Sequence, residues 1–299
     1  MQYQGVEIED TFAEAFPMLG SRAIVTAVSK RWARTAAQVA TGYATSVIAC
    51  DAEAGIEREL TPEQTPDGRP GVSFLAFGFS EKGLGKALVG RIGQCIMTCP
   101  TTSCYNGLPG GEKKVKVGSL LRYFGDRYQT SKRLLNRRYW RVPVMDGEFV
   151  CEDVLGIQKG VAGGNFLILA ESQAIALTAA EAAVENIQQV PDVICPFPGG
   201  IVRSGSKVGS GYKKLKASTN DAYCPTLRGV VDSQLPDTVN CVYEVVIDGL
   251  SLDAVRCATR CGIQAACRNG VVRISAGNYG GKLGPHHIRL HEVMESETA

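Results

Sequence analysis

The sequence predicts an α+β protein built as two ferredoxin-like α/β sandwich lobes, residues 1–145 and 146–299, related by an internal repeat. Two observations predict it. Short segments recur in the same order at a near-constant offset, and strands and helices alternate strand–helix–strand, which folds as an antiparallel sheet with helices on one face. The chain of 299 residues has room for about two domains of ordinary size. Apolar residues make up 44% and charged residues 21%, a balance that suits packed cores rather than disorder.

Each element follows from its residues. Ile8-Glu9-Asp10 resembles Cys151-Glu152-Asp153, Ile24-Val25-Thr26-Ala27 resembles Leu167-Ile168-Leu169-Ala170, and Ala36 to Ala40 resembles Ala179 to Ala183, all at an offset of about 143 residues. Val47 to Cys50 matches Asp192 to Cys195, and Gly55-Ile56 matches Gly200-Ile201, at nearly the same offset. Each half therefore opens strand, helix, strand. Later in each half, Gly83-Leu84 starts a helical segment reaching Gln94 and Cys95, and Gly249-Leu250 starts one reaching Ala266 and Cys267. Val242 to Ile247 is β-branched and aromatic, hence a strand. From Asp253 to Cys267 the apolar residues Ala254, Val255, Ala258, Cys261, Gly262 and Ala265 keep a helical period, with Ser251 or Asp253 as cap. Val271 to Ile274 is the closing strand.

Composition excludes several functions. Lys+Arg is 32 and Asp+Glu 30, a net charge of +2 that gives no electrostatic case for wrapping nucleic acid. Phe74, Phe77 and Phe79 lack the basic-Gly opening of an RNA-binding strand and read as strand core. No apolar run is long enough to span a bilayer, and Met1 to Gly5 lacks the pattern of a signal peptide, so a cytoplasmic protein is expected. The 11 cysteines contain no CxxC pair and read as reduced thiols, not a metal site. His286, His287 and His291 have no metal motif around them and read as surface residues.

Two regions carry candidate chemistry. Lys113, Lys114 and Lys116, with Arg133, Arg137, Arg138 and Arg141, form a basic stretch between the halves, either a solvated face or a landing place for a polyanionic tail. Glycine-rich loops dominate the second half: Val161 to Phe166, Pro196 to Gly200, Ser204 to Gly211 and Ala276 to Gly284. Glycine lets backbone amides approach a ligand, and a neighbouring lysine suits phosphate or carboxylate. Neither Lys207 nor Lys282 has the spacing of a P-loop, and no GxGxxG follows an N-terminal strand, so the loops are not nucleotide motifs. Asn165, Asn220 and Asn278 in or near these loops offer donor and acceptor to an amide or pterin edge. One residue is chemically odd. Alternation in Cys241 to Ile247 puts Glu244 on one face with Val242 and Val246. It is either an edge-strand glutamate paired with an arginine or a desolvated, neutral acid able to donate a hydrogen bond to an oxyanion.

Long stretches are similar to one family. Val6 to Phe16, Ala40-Thr41-Gly42-Tyr43, Thr65 to Gly71, Arg91 to Cys95, Pro196 to Val202, Ala217 to Pro225 and Ser275 to Gly284 resemble formylmethanofuran:tetrahydromethanopterin formyltransferase over nearly the whole chain. The resemblance implies a one-carbon transferase without prosthetic group or metal, moving a formyl group reversibly between the amine of methanofuran and N5 of tetrahydromethanopterin, or their bacterial analogues. It implies two ferredoxin-like lobes, a homotetramer with sites at subunit contacts, and, for bacterial members, other subunits of a formyltransferase/hydrolase complex. It makes Glu244 the catalytic residue. With the glycine-rich loops it puts cofactor contacts at Asn165, Phe166, Ser206, Lys207, Asn220, Asp221, Tyr223, Asn278, Tyr279 and Lys282, and anionic tails near Lys113 or Lys213. The competing readings are a non-catalytic scaffold subunit of a one-carbon complex and a ferredoxin-like module that binds ligand or nucleotide.

Overall fold

The computed structural model of the protein describes residues 1–296. They pack as two units: Met18–Gly160, and Met1–Pro17 together with the chain from Val161 onward.

In the unit from Met18 to Gly160, the sheet runs Glu53–Leu60, Gly71–Gly78, Phe12–Thr26, Ser103–Asn106, with antiparallel neighbours throughout. In chain order that is second, third, first, fourth, the ferredoxin-like arrangement. The helices Lys30–Thr41 and Glu81–Arg91 make the two crossovers, and the second ends in a π-turn at Ile92–Ile96. Their small and apolar residues, Ala36, Ala40, Leu84 and Leu88, close over Val25, Phe74 and Ala76 of the sheet. Phe74 and Phe77 are core, as the sequence predicts, while Phe79, one residue past the strand, is 64% exposed.

The unit holding the C-terminal residues repeats the order: Val193–Ile194, Cys241–Gly249, Val154–Ala170, Val271–Ser275. Its crossover helices are Gln173–Ile187 and Leu252–Ala266. They cover Phe166, Ile168, Val245 and Ile247 with an alanine-rich layer that includes Ala176, Ala179, Ala183 and Ala258. Gly262 permits this close approach: a Cβ there would stand 2.7 Å from Ile187 Cδ1 and 3.0 Å from Phe166 Cζ.

The packing units differ from the sequence halves 1–145 and 146–299 in two segments, 1–17 and 146–160. The reason is strand exchange. Val6–Ile8, at the start of the first half, pairs in parallel with Val271–Ser275 of the second. Gly147–Glu152, at the start of the second, pairs in parallel with Ser103–Asn106 of the first. These are the segments that matched at the head of the repeat. The exchange is carried by two strands of 15 and 17 residues, Phe12–Thr26 and Val154–Ala170. At about 3.3 Å per residue such strands outrun the sheet of a single small domain.

Serine hydroxyls cap the helices that begin at Glu81, Gln173 and Leu252. The Ser251 hydroxyl accepts from the Ala254 N–H at 3.1 Å, so of the two candidates Ser251 is the cap, and Asp253 sits in the first turn near Arg256 instead. Ser251→Ala should cost about 1 kcal/mol, the usual value of such a cap, read as a lower urea midpoint with unchanged slope; an unmoved midpoint would mean that the cap does not contribute.

Candidate active site

Glu244 lies in the strand Cys241–Gly249, where Leu167 is its partner on one side. On the other side Val202 donates its N–H to the Glu244 carbonyl at 2.8 Å and accepts the Glu244 N–H at 3.0 Å. The strand is therefore flanked on both sides here, and the edge-strand alternative is corrected: the chain around Val202 takes the outer position. No arginine pairs with Glu244 among the described residues either. Alternation works as expected. Val245 and Ile247 enter the helix-covered core, while Val242, Glu244 and Val246 stay half-buried on the opposite face.

That opposite face is covered by irregular chain. Leu167 and Leu169 pack there with Leu235 and Val239, and Tyr223, Val242 and Val272 border them. The surroundings of Glu244 withhold water from its carboxyl, and this desolvation pushes it up to about 7. The Tyr279 phenol lies within reach of its charge. Burial raises the Tyr279 phenol, the Ser206 hydroxyl partly offsets this, and the negative charges of Glu244 and Glu14 raise it further. Tyr279 thus links Ser206, by a hydrogen bond, with Glu244, by charge, three residues drawn from three separate stretches. Near neutral pH they form a cluster of a partly protonated acid, a neutral phenol and a hydroxyl, a set suited to donating hydrogen bonds to an oxygen that gains charge.

The other candidates divide by role. Asn165 holds the last loop in place: its Oδ1 accepts the Gly277 N–H at 2.6 Å and its Nδ2 donates to the carbonyls of Gly163 and Gly277, both at 3.2 Å. Asn278 is a second latch, with Nδ2 donating to Thr11 Oγ1 at 3.1 Å and to the Phe12 carbonyl at 3.2 Å. Lys207 and Asp221 form an ion pair, and that hydrogen bond holds the Asp221 carboxyl below its ordinary range. Both side chains are thereby engaged with each other. Asn220 directly precedes the short turn Asp221–Tyr223. The Tyr223 hydroxyl lies 3.4 Å from Ser275 Oγ, on the sheet face that carries Glu244. Lys282 is exposed.

Phe166 requires a correction. Its side chain is fully buried in the helix-side core, because neighbouring strand residues point to opposite faces and Phe166 alternates with Asn165 and Leu167. It cannot contact a ligand on the face of Glu244. The histidines are also not free surface residues. The strand His286–Arg289 pairs with Phe12–Ala15, and all three are half-buried. His287 stacks on Phe12 with ring centroids 4.7 Å apart.

Glu14 is the residue that sequence reasoning missed. It is only 1% exposed, in the strand Phe12–Thr26, and its carboxylate accepts four backbone N–H groups from the loop that carries Tyr279. Burial alone would raise it, but the N–H groups of Gly284, Tyr279, Leu283 and Gly281 outweigh burial and hold it below the ordinary glutamate range. The available signal was the one used for Glu244, a carboxyl inside a strand between apolar neighbours, here Phe12 and Phe16 on its own face.

The basic stretch lies in the other unit. Lys82, Lys86, Lys114 and Lys116 line one groove there. Lys114, Arg133, Arg137 and Arg138 line a second with Glu152 and Asp153. Arg137 is paired with the buried Glu152, Arg141 with Glu148 and Lys113 with Glu81. All 11 cysteines are free thiols. Among the described residues no cluster of three or more His, Cys, Asp or Glu could hold a metal ion, and no helix is long and apolar enough to cross a membrane.

Comparison with known proteins agrees with this geometry over the whole chain. The family profile described as formylmethanofuran-tetrahydromethanopterin formyltransferase matches residues 1–144, and that of its proximal lobe matches residues 147–293. The formylmethanofuran–tetrahydromethanopterin formyltransferase of Methylococcus capsulatus is 59% identical, covering 98% of this chain and 100% of its own. The solved structure of the Methanosarcina barkeri enzyme superposes with a TM-score of 0.94 at 50% identity, covering 98% of this chain and 100% of its own. A chain in the structure of the formyltransferase/hydrolase complex of Methylorubrum extorquens with methylofuran superposes at 0.96 with 51% identity, covering 99% of each. The chain belongs to the formylmethanofuran–tetrahydromethanopterin formyltransferase family.

Proposed function

We propose that this chain transfers a formyl group between the amine of a methanofuran-type carrier and N5 of a tetrahydromethanopterin-type carrier, with Glu244 as the acid. The activity is that of relatives 50–59% identical over their full length. The role of Glu244 is supported by one observation above the others: a carboxyl inside the sheet, with no hydrogen-bond or ion-pair partner among the described residues, raised to about 7 by desolvation.

The chemistry follows. N5 attacks the formyl carbon, a C–N bond forms, and the carbonyl oxygen of the tetrahedral intermediate takes up charge. A protonated Glu244 donates to that oxygen. As the intermediate collapses, the bond to the methanofuran nitrogen breaks, N5 loses its proton and the departing amine gains one. No covalent enzyme intermediate is needed, so acceleration comes from holding the two carriers together and from placing donors where charge develops. Lys213, Lys214 and Lys216, exposed on the same unit, supply cations for an anionic carrier tail.

The relative from Methylorubrum extorquens comes from a formyltransferase/hydrolase complex. That assembly supports association of this chain with other, different subunits. Free thiols and the soluble carriers fit a cytoplasmic location.

The test is a pH–rate profile. A protonated acid is active below its pKa, so kcat/KM should fall about tenfold per pH unit above about 7. A rate that stays flat or rises from pH 6.5 to 8.5 would remove Glu244 as the acid.

A further inference from the structure

We propose that Glu14 is a positioning residue for the formyl transfer, acting through Tyr279: its carboxylate builds the loop that sets where the phenol stands. The proposal rests on the reading of the Glu244 face as the active site.

The geometry carries it. Between Val271–Ser275 and His286–Arg289 the chain has no regular structure, so its N–H groups need partners other than a strand or helix. Glu14 supplies them. Its Oε1 accepts the N–H of Tyr279 at 2.7 Å and of Gly281 at 2.5 Å. Its Oε2 accepts the N–H of Leu283 at 3.0 Å and of Gly284 at 2.8 Å. The backbone is shaped to allow this. Gly280 and Gly281 have φ of +70° and +73°, which turns successive amides to one side as an anion-binding concavity, and the anion is part of the chain itself. Gly284 lies so close to the Glu14 strand that a Cβ would stand 2.7 Å from the Ala15 carbonyl oxygen. Asn165 at Gly277 and Asn278 at Phe12 fix the loop from its other end. Tyr279 sits between these anchors, so its direction follows from them.

Only an acceptor on both oxygens can serve. All of the partners are donors, and a glutamine would turn an NH2 group toward two of them. The charge of Glu14 also reaches the Tyr279 phenol, but every hydrogen bond of the carboxylate goes to these amides. Hence the carboxylate acts on the reaction by fixing where the Tyr279 hydroxyl stands.

The experiment is a double-mutant cycle on formyl transfer, with Glu14→Gln, Tyr279→Phe and both together, read as kcat and KM separately. Misplacing a donor by about an ångström costs up to roughly 100-fold, so each single variant should lose about 10- to 100-fold in kcat with a smaller change in KM. The double variant should be little worse than the more damaged single one, because Tyr279 can be misplaced or removed but not both. Glu14→Asp, which keeps both acceptor oxygens, should recover part of the loss. Losses that multiply in the double variant, or full activity of either single one, would overturn the proposal. Should Glu14→Gln fail to fold by circular dichroism, Gly281→Ala takes its place in the cycle. It strains the same loop at a positive φ, with its Cβ 3.2 Å from His287 Cε1. The same coupling with Tyr279→Phe is expected, and its absence would again overturn the proposal. Glu244→Gln is measured alongside: full activity there would remove the active-site reading, whereas a slow Glu244→Gln with multiplying losses at positions 14 and 279 would remove only the role of Glu14.

Discussion

Glu244→Gln should lower kcat about 10²- to 10³-fold and leave KM for both carriers within a few-fold, because an amide N–H shares its proton with a charged oxygen far less than a carboxylic acid does; for scale, removing an oxyanion donor outright costs about 2.7–4 kcal/mol. The amide keeps the shape of the carboxyl and still has an N–H to offer, but it is a far weaker acid. Glu244→Ala removes the donor altogether, so the gap between the two variants measures what a neutral hydrogen bond alone contributes. Substrate affinity is spared because the charge that Glu244 meets exists only part-way through the reaction. Stability gives a second readout. The folded carboxyl titrates near 7 rather than at its ordinary 4.5, so the folded state holds the proton more tightly than the unfolded chain. Its contribution is complete below about 4.5 and is lost as pH rises through about 7. At 1.36 kcal/mol per pKa unit the loss is at most about 3 kcal/mol. Glutamine cannot ionise, so above pH 7 the variant should be at least as stable as the parent while nearly inactive. A stable variant with normal turnover would refute the role; a variant that melts early would instead mean that Glu244 is a packing residue.

Phe166→Ala should do the reverse, costing about 3–5 kcal/mol of stability by opening a cavity in the core of its unit. Phe166 is fully buried beneath Gly262 and among the alanines of both crossover helices, side chains too short to close the gap. In the fraction that stays folded, KM for the carriers should be unchanged. Chemical unfolding and steady-state kinetics on the same preparation separate the two effects. A rise in KM without loss of stability would restore Phe166 to the binding face.

These two residues mark where sequence reasoning reaches. Alternation placed Glu244 among valines on one face of a strand, and the structure keeps it there, because a period of two is a local property of extended backbone. The same rule, applied to Asn165-Phe166, would have separated them; reading both as cofactor contacts ignored it. What covers a strand is not local. Nothing near Val202 announces that it pairs with Glu244, so the edge position remained open in the sequence. The repeat was legible in Ile8-Glu9-Asp10 and Cys151-Glu152-Asp153 because alike residues recur there at a fixed spacing. The exchange of those very strands was not, since likeness between segments does not say where either one pairs. Glu14 escaped for a related reason. It shared the strand signal of Glu244, but its partners are backbone amides, which carry no side-chain signature beyond the glycines of Ala276 to Gly284.

The exchange of leading strands also bears on the history of the molecule. A duplicated gene ordinarily yields two copies, either of which can later be discarded. Here Ser103–Asn106 and Val271–Ser275 each rely on a neighbour encoded at the opposite end of the repeat. Deleting one copy would leave the survivor with a bare sheet margin, inviting it to stick to other chains. The buried acid of the first copy, Glu14, would disappear with its strand, and the loop of the second would lose its anchor. With the strands crossed, neither half can complete its sheet without the other.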